Sequence, residues 1–333
     1  MKVLLTKPFF QQDLNYIQER LNEEIELITP KDYSEDSLAE LAGNADAFLG
    51  GTITEKLLQN ATKLQLIQIP WTGVDKLNYE LLKKFEVKVA NSHSNSGVVA
   101  EHAISLMFDA AKRIAYHDRT FRTGNWNRPK EDKSNQVSPF SVKIKNSKVA
   151  IIGFGAIGKD IYHYLKGFDC SFKVFNRTGN LSQNFENVTC FPISELNNQI
   201  NDADIIFVSV ALTEQTKGLL NNEFFNSVGK KAIFINVSRG EIVKEEALYN
   251  FLKENKTFFA GIDTWYKYPT KDNPNVFPSN NFNFHNLDNI VMSPHRAGMV
   301  QDCLPHLDDA VENLNRLFLG KDLINVISIE NKY

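Results

Sequence analysis

The sequence predicts an α/β protein built from two parallel-sheet domains. Three observations carry this expectation. Short apolar runs alternate with longer amphipathic segments, the pattern of strand–helix–strand units whose sheets are covered on both faces. The alternation comes in two series, one over about the first 95 residues and one starting at Lys148. The second series opens on a strand, a glycine-rich turn and a helix. At 333 residues there is room for two domains of roughly 150 residues each.

In the first series KVLL (2–5), IELI (25–28), DAFLG (46–50), LQLIQI (64–69) and VKVA (87–90) read as strands. Segments 10–22, 35–42, 53–60 and 75–84 read as the helices between them. Residues 97–116 form a long helix, with Val98, Ile104, Met107, Phe108 and Ala111 near helical spacing. Residues 117–147 are polar and weakly periodic, and read as an arm of the kind that supports a homodimer.

The second series gives seven strands: 148–152, 172–175, 188–191, 204–210, 232–237, 258–263 and 289–293. Asn-rich 271–288 reads as a loop. The tail is expected to form a helix over 301–319 and a short strand near Ile324–Ile329. It is too short to fold alone, so it is expected to return to the N-terminal unit. The domains are therefore 1–96 with 296–333, and 97–295.

Composition removes several functions. Lys+Arg is 37 against Asp+Glu 40, a net charge of −3, so no basic excess draws in nucleic acid. No apolar run approaches the ~18 residues of a membrane span. The opening MKVLLTKPFF has too short an apolar stretch for a signal-peptide core. Cys170, Cys190 and Cys303 share no metal-ligand spacing, so the expectation is no bound metal, ordinary thiols and a cytoplasmic protein.

The turn at KVAIIGFGAIGKDI holds Gly153, Gly155 and Gly158 in G-x-G-x-x-G spacing, after a strand and before a helix. That context is the one in which the spacing signals a dinucleotide pyrophosphate at a helix N-terminus. The loop Gly153, Phe154, Gly155, Ala156, Ile157 and Gly158 is the candidate cradle. Asn176, Arg177 and Thr178 close the next strand, with Arg177 19 residues beyond Gly158. An acid there would read the ribose hydroxyls of NAD, and none is present. Arg177 can pair with a 2′-phosphate, to which Asn176 and Thr178 can donate, and this favours NADP; or Arg177 can stack on the adenine, which leaves NAD usable.

Arg239, Asp263 and His295 each sit at or just past the carboxyl end of a strand, where open α/β sheets bind ligands. The flanking segments VALTEQTKGLLN, INVSRGEIV, GID and SPHRAG follow the glycine loop in order, with VVAE (98–101) and GNW (124–126) upstream. Together they resemble the D-isomer-specific 2-hydroxyacid dehydrogenase family, of the glyoxylate/hydroxypyruvate reductase type, over nearly the whole chain.

The resemblance implies a Rossmann-type doubly wound cofactor domain and a discontinuous flavodoxin-like substrate-binding domain. It implies hydride transfer between NADPH and a small 2-keto acid, giving a D-2-hydroxy acid. Arg239 would hold the substrate carboxylate and polarise the ketone. His295 would give or take the proton. Thr72 and Gly73 would receive the carboxylate on backbone N–H groups, with Trp71 either packing or lining the pocket. Asp263 would bond the nicotinamide carboxamide, and Val210, Thr216 and Val237 would complete the cofactor site. His102 reads as a packing or interface residue. The polar stretch SHSNSG (92–97) carries no clear positive charge, which points to an unphosphorylated substrate.

One position departs from the family pattern. Where a Glu usually precedes Pro and pairs with the histidine, this chain has Tyr268-Pro269. A neutral phenol cannot supply that charge. Three readings stay open. Asp302 or Asp308 reaches His295 instead; Tyr268 only orients the ring; or the protein is a cofactor-sensing interaction module with little turnover. Oxidation of a very small donor such as formate, which needs no proton relay, is a further reading.

Overall fold

The computed structural model describes residues 1–126, 141–301 and 304–330. Asp302, Cys303 and the central part of the 117–147 arm lie outside the described residues. The chain divides into two compact units, Met1–Asn95 with Val300–Tyr333, and Ser96–Met299. The second boundary falls four residues beyond His295, so the whole SPHRAG segment belongs to the second unit.

In the first unit β1 (Lys2–Leu5), β2 (Glu26–Ile28), β3 (Ala47–Leu49), β4 (Leu66–Gln68) and β5 (Lys88–Ala90) form a parallel sheet in the order β2-β1-β3-β4-β5. That is the flavodoxin-type order. Successive residues point to opposite faces, and both faces are covered. Leu4, Phe48, Ile67 and Val89 enter one core, and Val3, Leu5, Leu49 and Leu66 the other. This is why the strands read as unbroken apolar runs. Between them lie α1 (Gln11–Arg20), α2 (Glu35–Ala42), α3 (Glu55–Asn60) and α4 (Tyr79–Phe85). Ser34, Thr54 and Asn78 cap the last three, their side chains accepting from Ser37, Leu57 and Leu81 N–H. Each such cap is worth about 1 kcal/mol.

The second unit begins with α5 (Ser96–Lys112) and α6 (Ile114–Phe121). The single helix expected over 97–116 is broken at Arg113, whose φ is 57°. Asp109 Oδ1 accepts from Ala115 N–H at 2.8 Å and starts the new helix. The buried face of α5 carries Val99, Ala100, Ala103, Leu106, Met107, Ala110 and Ala111. Of the expected set, Met107 and Ala111 are buried on that face, and Ile104 and Phe108 pack partly buried against the same core. Small residues dominate it because the helix lies close on the sheet: a Cβ at Gly261 would be 2.9 Å from Leu106 Cβ.

Seven parallel strands follow: β6 (Lys148–Ile152), β7 (Ser171–Asn176), β8 (Val188–Pro192), β9 (Ile205–Val208), β10 (Ile233–Asn236), β11 (Phe259–Ile262) and β12 (Ile290–Met292). Their order, β12-β11-β10-β9-β6-β7-β8, is doubly wound with its switch point between β6 and β9. The connecting helices are α7 (Ala156–Leu165), α8 (Leu196–Gln199), α9 (Asn222–Ser227) and α10 (Glu245–Glu254).

The tail returns to the first unit. Its helix α11 is shorter than expected, Asp308–Phe318, preceded by a 3-10 turn at Pro305–Leu307. Pro305 suits a first helical turn and not a helix interior. Asn313 on α11 is fully buried, and its amide donates to Gln68 Oε1 at 2.8 Å. The strand expected near 324–329 is only a bridge, Ala90 to Val326, beside Asn325 at φ 52°. Among the described residues no helix is long and apolar enough to cross a membrane.

Candidate active site

The glycine loop is shaped by close approach. Gly153 has φ 93°, and a Cβ there would lie 2.5 Å from Val210 N. A Cβ on Gly158 would lie 2.4 Å from Gly153 O, so the third glycine lets α7 sit on its strand. Ser209 Oγ donates to Gly153 O at 2.8 Å and ties the loop to β9 across the switch point. Gly155 differs: nothing lies within 4 Å of a Cβ placed on it. It caps α7 with no side-chain acceptor, so open space faces the N–H groups of Ala156, Ile157 and Gly158. A pyrophosphate fits that cradle. Phe154, by contrast, is buried against Tyr162 and Phe185.

At the end of β7 the Asn176 side chain builds a turn. Its Oδ1 accepts from Thr178 N–H at 3.0 Å and Gly179 N–H at 2.6 Å, and its Nδ2 donates to Asn180 O at 2.6 Å. These bonds take up the Asn176 oxygen and one of its two amide hydrogens within its own turn. It presents the neighbouring Arg177 and Thr178, both exposed. Thr216 is also structural, its hydroxyl donating to Ala211 O at 2.7 Å and accepting from Thr213 N–H at 2.8 Å. Val237 is buried at the end of β10.

Arg239 follows β10 and is partly buried. Asn236 Nδ2 donates to its carbonyl at 3.1 Å, and its own Nη1 donates to Ser238 O at 2.9 Å. A Cβ on Gly240 would lie 2.4 Å from Trp265 O, so this loop packs directly on the one after β11.

Asp263 is fully buried. It accepts from Ser293 Oγ at 2.5 Å, Arg296 N–H at 2.8 Å and Ala297 N–H at 3.1 Å. Burial disfavours its charge, but the bonds from His102, Ser293, Arg296 and Ala297 outweigh that and hold the carboxyl below its usual range. The bonded N–H groups belong to the loop that carries His295, whose φ is 56°. A left-handed histidine costs of order 1 kcal/mol and persists only where its surroundings hold it. Asp263 does so from the following two residues. Its side chain thus serves the His295 loop, a task that the resemblance did not imply.

Two residues of this network escaped the sequence reading. His102 Nε2 lies 2.9 Å from Ser293 Oγ and 3.4 Å from Asp263 Oδ1. The Ser293 hydroxyl proton is given to Asp263, so His102 donates to it through Nε2–H. Trp265 Nε1 donates to Ser293 O at 2.7 Å. His102 is 191 residues from Ser293 in sequence, and no spacing rule links them.

Tyr268 stands beside His295, ring centroids 5.5 Å apart and planes at 59°. Its oxygen accepts from Trp265 N–H at 3.1 Å. Asp308 belongs to the other unit, where the Tyr16 hydroxyl donates to it.

In the first unit Thr72 Oγ1 donates to Ser92 O at 2.8 Å and meets Asn95 Oδ1 at 3.0 Å. Asn91 Nδ2 donates to Thr72 O at 2.7 Å. These bonds fix the loop holding Trp71, Thr72 and Gly73 at the carboxyl end of β4.

A model of the NAD binding domain of D-isomer specific 2-hydroxyacid dehydrogenases matches residues 104–297. A D-3-phosphoglycerate dehydrogenase of Methanocaldococcus jannaschii is 25% identical over 337 residues, covering 99% of this chain but 60% of that protein. A glyoxylate/hydroxypyruvate reductase of Arabidopsis thaliana is 26% identical over 339 residues, 98% of this chain and 97% of that protein. Among solved structures, a D-isomer specific 2-hydroxyacid dehydrogenase from Xanthobacter autotrophicus Py2, in complex with NADPH and MES, has a TM-score of 0.75 at 21% identity, covering 100% of this chain and 99% of that one. With the fold and the glycine-loop geometry, the match over 104–297 establishes that this chain belongs to the D-isomer specific 2-hydroxyacid dehydrogenase family of oxidoreductases.

Proposed function

We propose that the protein is a 2-keto acid reductase that uses NADPH to make a D-2-hydroxy acid. The observation that carries the reading is the loop of His295, held in a left-handed turn by buried Asp263. The pyrophosphate would rest on the N–H groups of Ala156, Ile157 and Gly158. When bound, the nicotinamide supplies the hydride. Arg239 binds the substrate carboxylate and polarises the ketone, and His295 delivers the proton to the ketone oxygen. Thr72 and Gly73 receive the carboxylate through backbone N–H groups.

Two features support NADP over NAD. No acid follows β7, and the Asn176 turn projects Arg177 and Thr178 outward. The solved relative from Xanthobacter autotrophicus carries NADPH. A homodimer is part of the proposal. Ile114, Phe121 and Trp126 are 59%, 51% and 68% exposed beside the polar arm.

In this reading Tyr268 orients the His295 ring without charging it. The relatives named above are dehydrogenases and reductases, which gives no support to a sensor without turnover. NADPH oxidation followed by absorbance with a panel of 2-keto acids tests the reading. Turnover is expected with at least one small acid, and tight NADPH binding with no turnover would favour the sensor.

A further inference from the structure

The carboxyl end of the first unit's sheet holds a lysine that the reaction scheme leaves unused. Lys7 directly follows the last turn out of β1, at the same sheet edge as the loops after β3 and β4. Its ammonium lies over the rings of Phe9 and Trp71, 5.0 Å from each centroid. A Cβ on Gly51, after β3, would lie 2.6 Å from Trp71 Cζ2, so three strand-end loops meet at this indole. Trp71 is the immediate neighbour of Thr72 and Gly73.

The ammonium is half-buried, and among the described residues no carboxylate lies within ion-pair distance of it. Burial lowers its pKa, and the field of Asp13 only partly opposes that. The Asp13 carboxylate is itself engaged, accepting from Phe10 N–H at 3.1 Å. The charge of Lys7 in turn helps to lower the pKa of His306, from the tail, where burial is the larger cause. Beside it the hydroxyl of Thr6 is buried with no hydrogen-bond partner among the described residues. Aromatic faces stabilise a cation without neutralising it, so the ammonium on Trp71 can still pair with an anion.

We propose that Lys7 is a specificity residue, and that the preferred substrate is a 2-keto acid with a second anionic group, a carboxylate or a phosphate, at the end remote from its carboxylate. The inference rests on the 2-keto acid reading and deepens it. It also adds a positive charge that the expectation of an unphosphorylated substrate, drawn from 92–97, did not include. The first carboxylate goes to Thr72 and Gly73, and the second group reaches the ammonium held on Trp71.

The test is steady-state reduction by the full chain with NADPH. The acids are 2-ketobutyrate, hydroxypyruvate, 2-ketoglutarate and phosphohydroxypyruvate, and the enzymes are wild type, Lys7→Met and Lys7→Arg. Wild type should favour one of the two doubly anionic acids by about 10-fold or more, expressed in KM. Which of the two it favours identifies the carboxylate or the phosphate. Lys7→Met should lose about 10- to 100-fold on that acid and stay within about twofold on the singly anionic ones. Lys7→Arg should retain most of the preference. Equal losses on doubly and singly anionic acids in Lys7→Met, or a wild-type preference for the singly anionic acids, would overturn the assignment. Absence of turnover with all four acids would instead overturn the 2-keto acid reading, and this inference with it.

Discussion

Tyr268 lies against His295, with ring centroids 5.5 Å apart and planes at 59°. The phenol oxygen is held by Trp265 N–H at 3.1 Å, and Trp265 in turn holds Ser293 through its indole. Tyr268 is therefore built into the frame of the histidine loop. Ketone reduction needs a protonated imidazole, so activity falls as pH rises. A carboxylate beside the ring favours the protonated form. Tyr268→Glu should move that alkaline limb upward by about one pH unit or more. Tyr268→Phe should leave the limb in place and cost about 1 kcal/mol of stability through the lost acceptor. Profiles of kcat/KM against pH check both, and an unmoved limb in Tyr268→Glu would remove the orienting role.

Asp263 links stability to pH. Its folded pKa is lowered by the bonds that overcome its burial, relative to about 3.9 in an unfolded chain. Its contribution is therefore complete above the unfolded value and is lost as the pH falls through the folded one. Asp263→Asn should cost about 3 kcal/mol at pH 7. Its stability should fall less steeply than wild type between about pH 5 and pH 2. Urea unfolding at several pH values measures this. Parallel curves for the two proteins would contradict the assigned network.

Arg177 should govern cofactor choice. Loss of a charge-assisted contact to a phosphate is worth about 1.5–3 kcal/mol. Arg177→Ala should lower the NADPH-to-NADH ratio of kcat/KM by about 10- to 100-fold, mostly through KM. An unchanged ratio would assign Arg177 to adenine stacking.

Much of this architecture was legible in the chain because both sheets are covered on both faces. Three or four apolar residues in a row, as in VLL (3–5) or IIFV (205–208), have few other solutions. The glycine loop was legible for a different reason, since each glycine answers a local steric demand that spacing records. The break at Arg113 was not, because an arginine at positive φ leaves no mark in apolar periodicity. Asn176 had the right chemistry for a phosphate but a nearer partner in its own turn. His102, Ser293 and Asp263 meet only through the fold, from α5, the end of β12 and the end of β11. Lys7 was hidden for the same reason: its contact with Trp71 joins the ends of β1 and β4.

The most direct test of the central claim is the NADPH-dependent reduction of a 2-keto acid by wild type and Arg239→Ala, with the configuration of the product determined. The account predicts a D-2-hydroxy acid and a loss of about 10³-fold in kcat/KM in the variant, the several kcal/mol of a forked charge contact. An L product, or near-normal turnover by Arg239→Ala, would contradict it.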